Sequence, residues 1–212
     1  MTPLSIAVFA RAPEPGLAKT RLIPRLGADG AARLQAVLTE RALTRACGVP
    51  GAEVTLWVAG DIDSAFCADC GRRFSIGIRQ QTGADLGARM QGAALASKAG
   101  GRDLIIIGTD CPAQTSADLL EAHALLEQSD VVLQPAFDGG YVLIGLRPSI
   151  HSYDPIFGDI EWGTEKVLSA TRMRLRTAKL SFCELRPLPD LDRSEDLDHA
   201  LAEGWIHDEE FR

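Results

Sequence analysis

"LIIIGTDCPAQTSADLLEAHALLEQS", residues 104–129, holds in one stretch the unit on which the fold turns. Leu104 to Ile107 is a short apolar run that reads as a strand buried on both faces. Gly108-Thr109-Asp110 and then Pro112 close it with a tight polar turn. Thr115-x-x-Asp118 follows as a capping-box pattern, and the segment from Thr115 to Ser129 reads as a helix. Strand, polar turn, helix is half of a β-α-β unit.

The same alternation extends in both directions. Leu4 to Ala10, Val54 to Ala59, Val131 to Leu133 and Tyr141 to Leu146 are further apolar runs of strand length. Helical segments are expected at 29–47, 85–100, from Thr164 to about Arg174, and from Ser194 to Ala202, where Gly204 stops the last one. This order predicts a mostly parallel sheet with helices on both faces. Asp138-Gly139-Gly140, between two strand-like runs, is a hairpin signal, so the sheet should be mixed. There is no internal repeat or linker, and one domain over 1–212 is expected, since single cores commonly reach roughly 200–250 residues.

Composition excludes several classes of function. Net charge is −7, the wrong sign for a protein that binds nucleic acid or anionic membranes. No apolar stretch is long enough for a membrane span, and the first residues lack the pattern of a secretion signal. An odd count of five cysteines fits a reducing, cytoplasmic setting better than a disulfide framework. Cys67-x-x-Cys70 lacks the second ligand pair of a zinc site and reads as a surface loop with incidental thiols. The four histidines lie outside every motif, which disfavours a histidine-based triad.

In open α/β sheets, ligands sit beyond the carboxyl ends of the strands, so polar motifs directly after apolar runs are site candidates. The first is "ARAPEPGLAKTRL", 10–22. It fails as a P-loop, because Pro13 and Ala18 stand where that motif needs glycines before Lys19-Thr20. Pro13, Pro15 and Gly16 should leave an extended loop from which Lys19 and Arg21 reach one anion. The second is Asp110, a carboxylate at a strand end suited to a hard cation such as Mg²⁺, or simply a turn residue. The third is "LPDLDRSEDL", 188–197, where Asp190 and Asp192 should share one side of an extended segment. Asp192 or Ser194 could equally cap the last helix. "RQQTGADLGARM", 79–90, offers Gly83, Asp85, Gly87 and Arg89 near a base, ribose or phosphate, or as a loop and cap. Trp162-Gly163-Thr164 opens another helix, where Trp162 could wall an acceptor pocket or equally be a buried structural residue.

Together, "ARAPEPGLAKTRL", "GADLGARM", "GTDCP", "DGGYVLIGL", "WGT" and "LDRSEDL" occur in an order that resembles a bacterial family of GT-A-like glycosyltransferases. Some of these carry an arsenosugar-biosynthesis label. The family sits within the nucleotide-diphospho-sugar transferase superfamily, beside guanylyl- and nucleotidyltransferases. The resemblance implies a Rossmann-like GT-A three-layer α/β sandwich that uses a divalent metal, Mg²⁺ or Mn²⁺. It implies a nucleotide-binding segment through Ala10, Arg11, Gly16, Lys19 and Arg21, and a base and ribose segment at Gly83, Asp85 and Gly87, with Arg89 following. Asp110 matches the superfamily's metal-binding aspartate, but "TDCP" offers one carboxylate where a D-x-D motif offers two, so Asp192 would have to supply the other. Lys19 and Asp138 are then the candidate catalytic groups, with Gly139, Gly140, Trp162 and Thr164 on the acceptor side. The implied reaction is glycosyl transfer from a nucleoside-diphosphate sugar to a small acceptor. The alternatives are nucleotidyl transfer from a nucleoside triphosphate to a phosphorylated small molecule, and nucleotide binding without turnover.

Overall fold

The computed structural model of the chain describes residues 2–211. Seven strands form one sheet: β1 (Leu4–Arg11), β2 (Glu53–Ala59), β3 (Gly77–Gln80), β4 (Asp103–Ile107), β5 (Val131–Pro135), β6 (Tyr141–Leu146) and β7 (Phe182–Glu184). Their order across the sheet is β3-β2-β1-β4-β6-β5-β7. All neighbours are parallel except β6, which runs antiparallel to both β4 and β5. The hairpin signal at Asp138-Gly139-Gly140 is the β5–β6 turn, closed by the Ala136 amide donating to the Gly140 carbonyl at 3.0 Å.

Seven helices cover the sheet: α1 (Ile23–Cys47), α2 (Ala65–Phe74), α3 (Leu86–Ala99), α4 (Ser116–Leu125), α5 (Asp154–Phe157), α6 (Val167–Thr177) and α7 (Ser194–Ala202). Strand alternation sorts them into layers. Ile6, Val8, Leu56, Ile105, Ile107 and Val132 face α1, α2 and α4. Ala7, Phe9, Trp57, Ile106, Leu133 and Ile144 face α3, α5 and α6. The result is a three-layer α/β sandwich. A third cluster, Leu22, Leu34, Leu38, Leu191, Leu197 and Phe211, packs α7 and the C-terminal segment against α1.

Several expectations are corrected. Helix α1 begins at Ile23 with Pro24 in its first turn and is broken at Gly27, whose φ of +70° lies outside the helical region. Cys67 and Cys70 are not in a surface loop; they are buried one turn apart on α2, in the core. Burial pushes the Cys70 thiol up to about 12, away from reactivity at neutral pH. The loop after β1 is not extended either. The Leu17 and Ala18 amides both donate to the Glu14 carbonyl at 3.0 Å, and a 3-10 turn follows at Thr20–Leu22.

The capping box at the start of α4 forms as the sequence implies. The Asp118 carboxylate accepts from the Thr115 amide at 2.8 Å and its hydroxyl at 2.7 Å. It also accepts from Gln134 of β5 at 3.3 Å and pairs with Arg186 at 3.0 Å. One buried carboxylate thus joins helix start, central strand and C-terminal segment. Asp118→Ala should cost about 2–4 kcal/mol, the loss of a cap plus unpaired buried donors, read by urea unfolding.

Candidate active site

A cavity of about 720 Å³ opens beyond the carboxyl ends of β1 and β4. From β1 the chain crosses to β2 on one side, while β4 flanks it on the other, so the cavity lies at the topological switch point. Seven of the expected residues line it: Ala10, Arg11, Lys19, Arg21, Arg89, Asp110 and Asp192. Four cationic side chains therefore meet two carboxylates, in a chain of net charge −7.

Lys19 organises the floor. Its ammonium is 2.9 Å from Asp110 Oδ1 and 3.6 Å from Asp192 Oδ1, and it donates to the Leu191 carbonyl oxygen. The side chain is 4% exposed. Backbone geometry aims it: Lys19 sits in the left-handed region at φ 46° and ψ 45°, just before the 3-10 turn. Arg21 Nη1 holds the other oxygen of Asp192 at 2.6 Å. The Leu191 amide donates to the Asp110 carbonyl at 2.7 Å, fastening the C-terminal segment to the β4 turn. Asp192 is released from helix capping, because Asp196 Oδ2 takes the Asp192 and Arg193 amides at 3.0 and 2.7 Å.

Beneath Asp110 lies a hydrogen-bonded chain that no sequence motif marks. Buried Gln35 of α1 donates through Nε2 to Thr109 Oγ1 at 3.1 Å, and Thr109 donates its proton to Asp110 Oδ1 at 3.0 Å. Oδ1 is thereby committed to Thr109 and Lys19, whereas Oδ2 makes no hydrogen bond among the described residues. Gln81, another unexpected lining residue, donates through Nε2 to the carbonyls of Ala10 and Trp57 at 3.2 and 2.9 Å. Both partners only accept, which fixes the amide nitrogen toward them. Exposed Leu17 and Leu86 add apolar wall.

The remaining expected residues lie off the lining. Asp85 is the N-cap of α3, accepting from the Ala88 amide at 2.8 Å, and it does not pair with Arg89. Gly83 precedes it, and Gly16 sits in the β1 loop. Gly87 permits close packing: a Cβ there would lie 2.6 Å from both the Phe157 carbonyl and Trp162 Nε1. Trp162 packs edge-on against Tyr141 beside the α3, α5 and α6 layer, and Thr164 is exposed, accepting from the Lys166 amide. Asp138 is exposed on the β5–β6 turn and accepts from the Gly140 amide at 2.8 Å. At Gly139, φ is +91° and a Cβ would strike the Glu165 carbonyl at 2.1 Å, so the turn admits no side chain. Asp190 does not share the cavity wall with Asp192. Burial, with the Asp138, Asp192 and Asp196 carboxylates nearby, pushes it up to about 6. The Cys111 thiol, buried beside Asp110, is pushed by burial up to about 11 and packs as an apolar group.

A divalent cation would find an open set of donors here. Among the described residues, no three His, Cys, Asp or Glu side chains converge to form a cage. Mg²⁺ ordinarily takes one or two carboxylates and completes its shell with substrate phosphates and water. Asp110 and Asp192, 46% and 40% exposed, match that requirement for an ion that arrives with its polyphosphate.

The architecture is that of the nucleotide-diphospho-sugar transferases. A candidate nucleotide-diphospho-sugar transferase from Desulfovibrio desulfuricans G20 superimposes with a TM-score of 0.86 at 29% identity, over 96% of this chain and 88% of that one. The chain belongs to the family described as "Uncharacterized protein conserved in bacteria (DUF2064)", matched over residues 42–164. Two more distant structures share the fold. The 4-diphosphocytidyl-2C-methyl-D-erythritol synthase of Anaerococcus prevotii has a TM-score of 0.64 at 10% identity, over 97% and 99% of the two chains. Glucosyl-3-phosphoglycerate synthase of Mycobacterium tuberculosis, solved with Mn²⁺ and UDP, has 0.58 at 9%, over 95% and 76%. No curated protein matches.

Arg11 and Arg89 form no ion pair among the described residues, and Arg89 makes only a 3.4 Å bond to the Gly83 carbonyl. Side chains so little engaged in the fold contribute little to its stability. Arg11→Ala and Arg89→Ala should each weaken nucleoside diphosphate binding roughly tenfold in calorimetry, with the unfolding midpoint almost unmoved.

Proposed function

We propose that the protein transfers a glycosyl group from a nucleoside-diphosphate sugar to a small hydroxyl-bearing acceptor, with Mg²⁺ or Mn²⁺ bound alongside the donor. The observation that carries this reading is the concentration of four cations, two of them without counter-charge, around two carboxylates at the switch point of an acidic chain. Such a site suits a diphosphate whose negative charge must be offset without drawing the polyanion in irreversibly.

Arg11, Arg21 and Arg89 hold the diphosphate, and its apolar neighbours Leu17 and Leu86 support the nucleoside. Asp110 and Asp192 would hold the divalent cation, which supplies charge neutralisation at the leaving diphosphate. Gln35 and Thr109 hold Asp110 in its orientation. As the bond between the sugar's anomeric carbon and the phosphate oxygen breaks, the electron pair stays on the diphosphate, where Lys19 and the arginines stabilise it. The acceptor oxygen bonds the anomeric carbon and its proton passes to Asp138. Phe137, 70% exposed next to Asp138, offers a face for the sugar or acceptor to lie against.

One observation favours nucleotidyl transfer as a second reading. The two carboxylates come from separate segments, the β4 turn and Leu191-Asp192, and not from a single D-x-D. A phosphorylated acceptor is already an anionic nucleophile and needs no base, so the two reactions differ in their dependence on Asp138. Incubation with a panel of nucleotide sugars and nucleoside triphosphates separates them. Nucleoside diphosphate released from a sugar nucleotide is expected; pyrophosphate released from a triphosphate would establish the second reading. Asp138→Asn should lower kcat about 10²-fold with KM for the donor nearly unchanged, as expected for loss of a general base. Unchanged kcat removes Asp138 from the reaction.

A further inference from the structure

We infer that Lys19 is a stand-in cation: it occupies the carboxylate pair until a divalent ion arrives with a diphosphate, and then moves from the carboxylates to the phosphate. This rests on the metal–nucleotide reading above and adds an order of events to it.

Three features lead there. The Lys19 ammonium donates to the Leu191 carbonyl and pairs with both carboxylates, 2.9 Å from Asp110 Oδ1 and 3.6 Å from Asp192 Oδ1. As it stands, its charge is directed at the two carboxylates and not at the open cavity. Its side chain is 4% exposed, while the two carboxylates are 46% and 40% exposed, so the lysine lies beneath the oxygens a ligand meets first. Contact with a phosphate therefore requires Lys19 to give up at least one partner. The oxygens it would surrender are also the hard donors available to a cation.

The electrostatics set the order. A divalent ion arriving alone must compete with a tethered ammonium for both carboxylates and would leave that buried ammonium with the Leu191 carbonyl but no counter-charge, an expensive state. An ion arriving with a diphosphate brings the ammonium a new partner. Metal and nucleotide thus bind together far better than either alone, and by linkage each favours the other equally. Arg21 reinforces the arrangement by holding Asp192 Oδ2 at 2.6 Å from the solvent side. The pair is kept together while empty, and a stray divalent ion is not retained in place of the substrate complex.

The test is binding of Mn²⁺ alone, followed by loss of the free-ion paramagnetic resonance signal, in the wild type and in Lys19→Met. The wild type should bind Mn²⁺ alone weakly and much more tightly when UDP, GDP or CDP is added. Lys19→Met should bind Mn²⁺ alone about tenfold or more tighter than the wild type, because the carboxylates lose their internal cation. Mn²⁺ should also raise its melting temperature more than the wild type's. Adding Asp110→Asn to Lys19→Met should abolish the gain. If Lys19→Met does not fold, Lys19→Gln, which keeps a donor but no charge, takes its place in the same comparison. Equal Mn²⁺ affinity in the wild type and the charge-deleted variant overturns the inference, even if the wild type binds Mn²⁺ with a nucleotide. Failure of the wild type to bind any of the three nucleotides, with or without Mn²⁺, overturns the donor reading instead and leaves a Mn²⁺ gain in the variant interpretable by itself.

Discussion

The ammonium of Lys19 needs partners, and two distant segments of the chain meet the β1 loop to supply them. A charge buried to 4% exposure is tolerable only when paired and hydrogen-bonded. Its partners come from distant parts of the chain: the turn after β4 and the segment before α7. The strand order places β1 beside β4, which brings Asp110 to the β1 loop. The Leu191 amide bonds the Asp110 carbonyl, and Leu191 itself is buried with Leu22, Leu34, Leu38 and Leu197. The C-terminal helix is thus packed onto α1 by apolar contact and tied to the site by its backbone. Fold and site share the same few atoms.

Much of this architecture is legible in the sequence because the central strands are buried on both faces and read as continuous apolar runs. Helix α7 is read at Ser194–Ala202 with its stop at Gly204, whose φ of +69° is one that glycine adopts without strain. The edges are harder. Strand β3, "GIRQ", carries one apolar residue in four, and β7, "FCE", is three residues long. Each becomes a strand by pairing with a neighbour, not by its own pattern. Helix α2 was obscured by its Cys-x-x-Cys, a spacing that draws attention to metals although here it only turns two small apolar side chains toward the core.

The site divides along the same line. Lys19, Arg21, Asp110 and Asp192 stand directly after strands or before the last helix, so the strand-end rule finds them. Gln35 sits in mid-helix, and Gln81 lies just past a strand too short to recognise. Nothing in their local sequence separates a buried glutamine that orients Thr109 from one that faces water. The loop after β1 shows a further limit. Two prolines and a glycine exclude regular structure, but they do not disclose that Glu14 draws the chain into a turn that sets Lys19 at positive φ.

The charges are also directional, which bears on how a donor would lie. Arg11, Arg21 and Arg89 come from the end of β1, its loop and α3, whereas Asp138 and Asp190 lie toward β5, β6 and the C-terminal segment. In the donor reading proposed above, these arginines would draw the phosphates of a polyanion toward β1 and α3. In that reading, cleavage of the glycosidic bond would leave negative charge on the diphosphate, on the arginine side. The cavity itself mixes the two signs, with Lys19 and Arg21 paired to Asp110 and Asp192, so Arg11 and Arg89 are the charges the fold leaves available to answer a diphosphate.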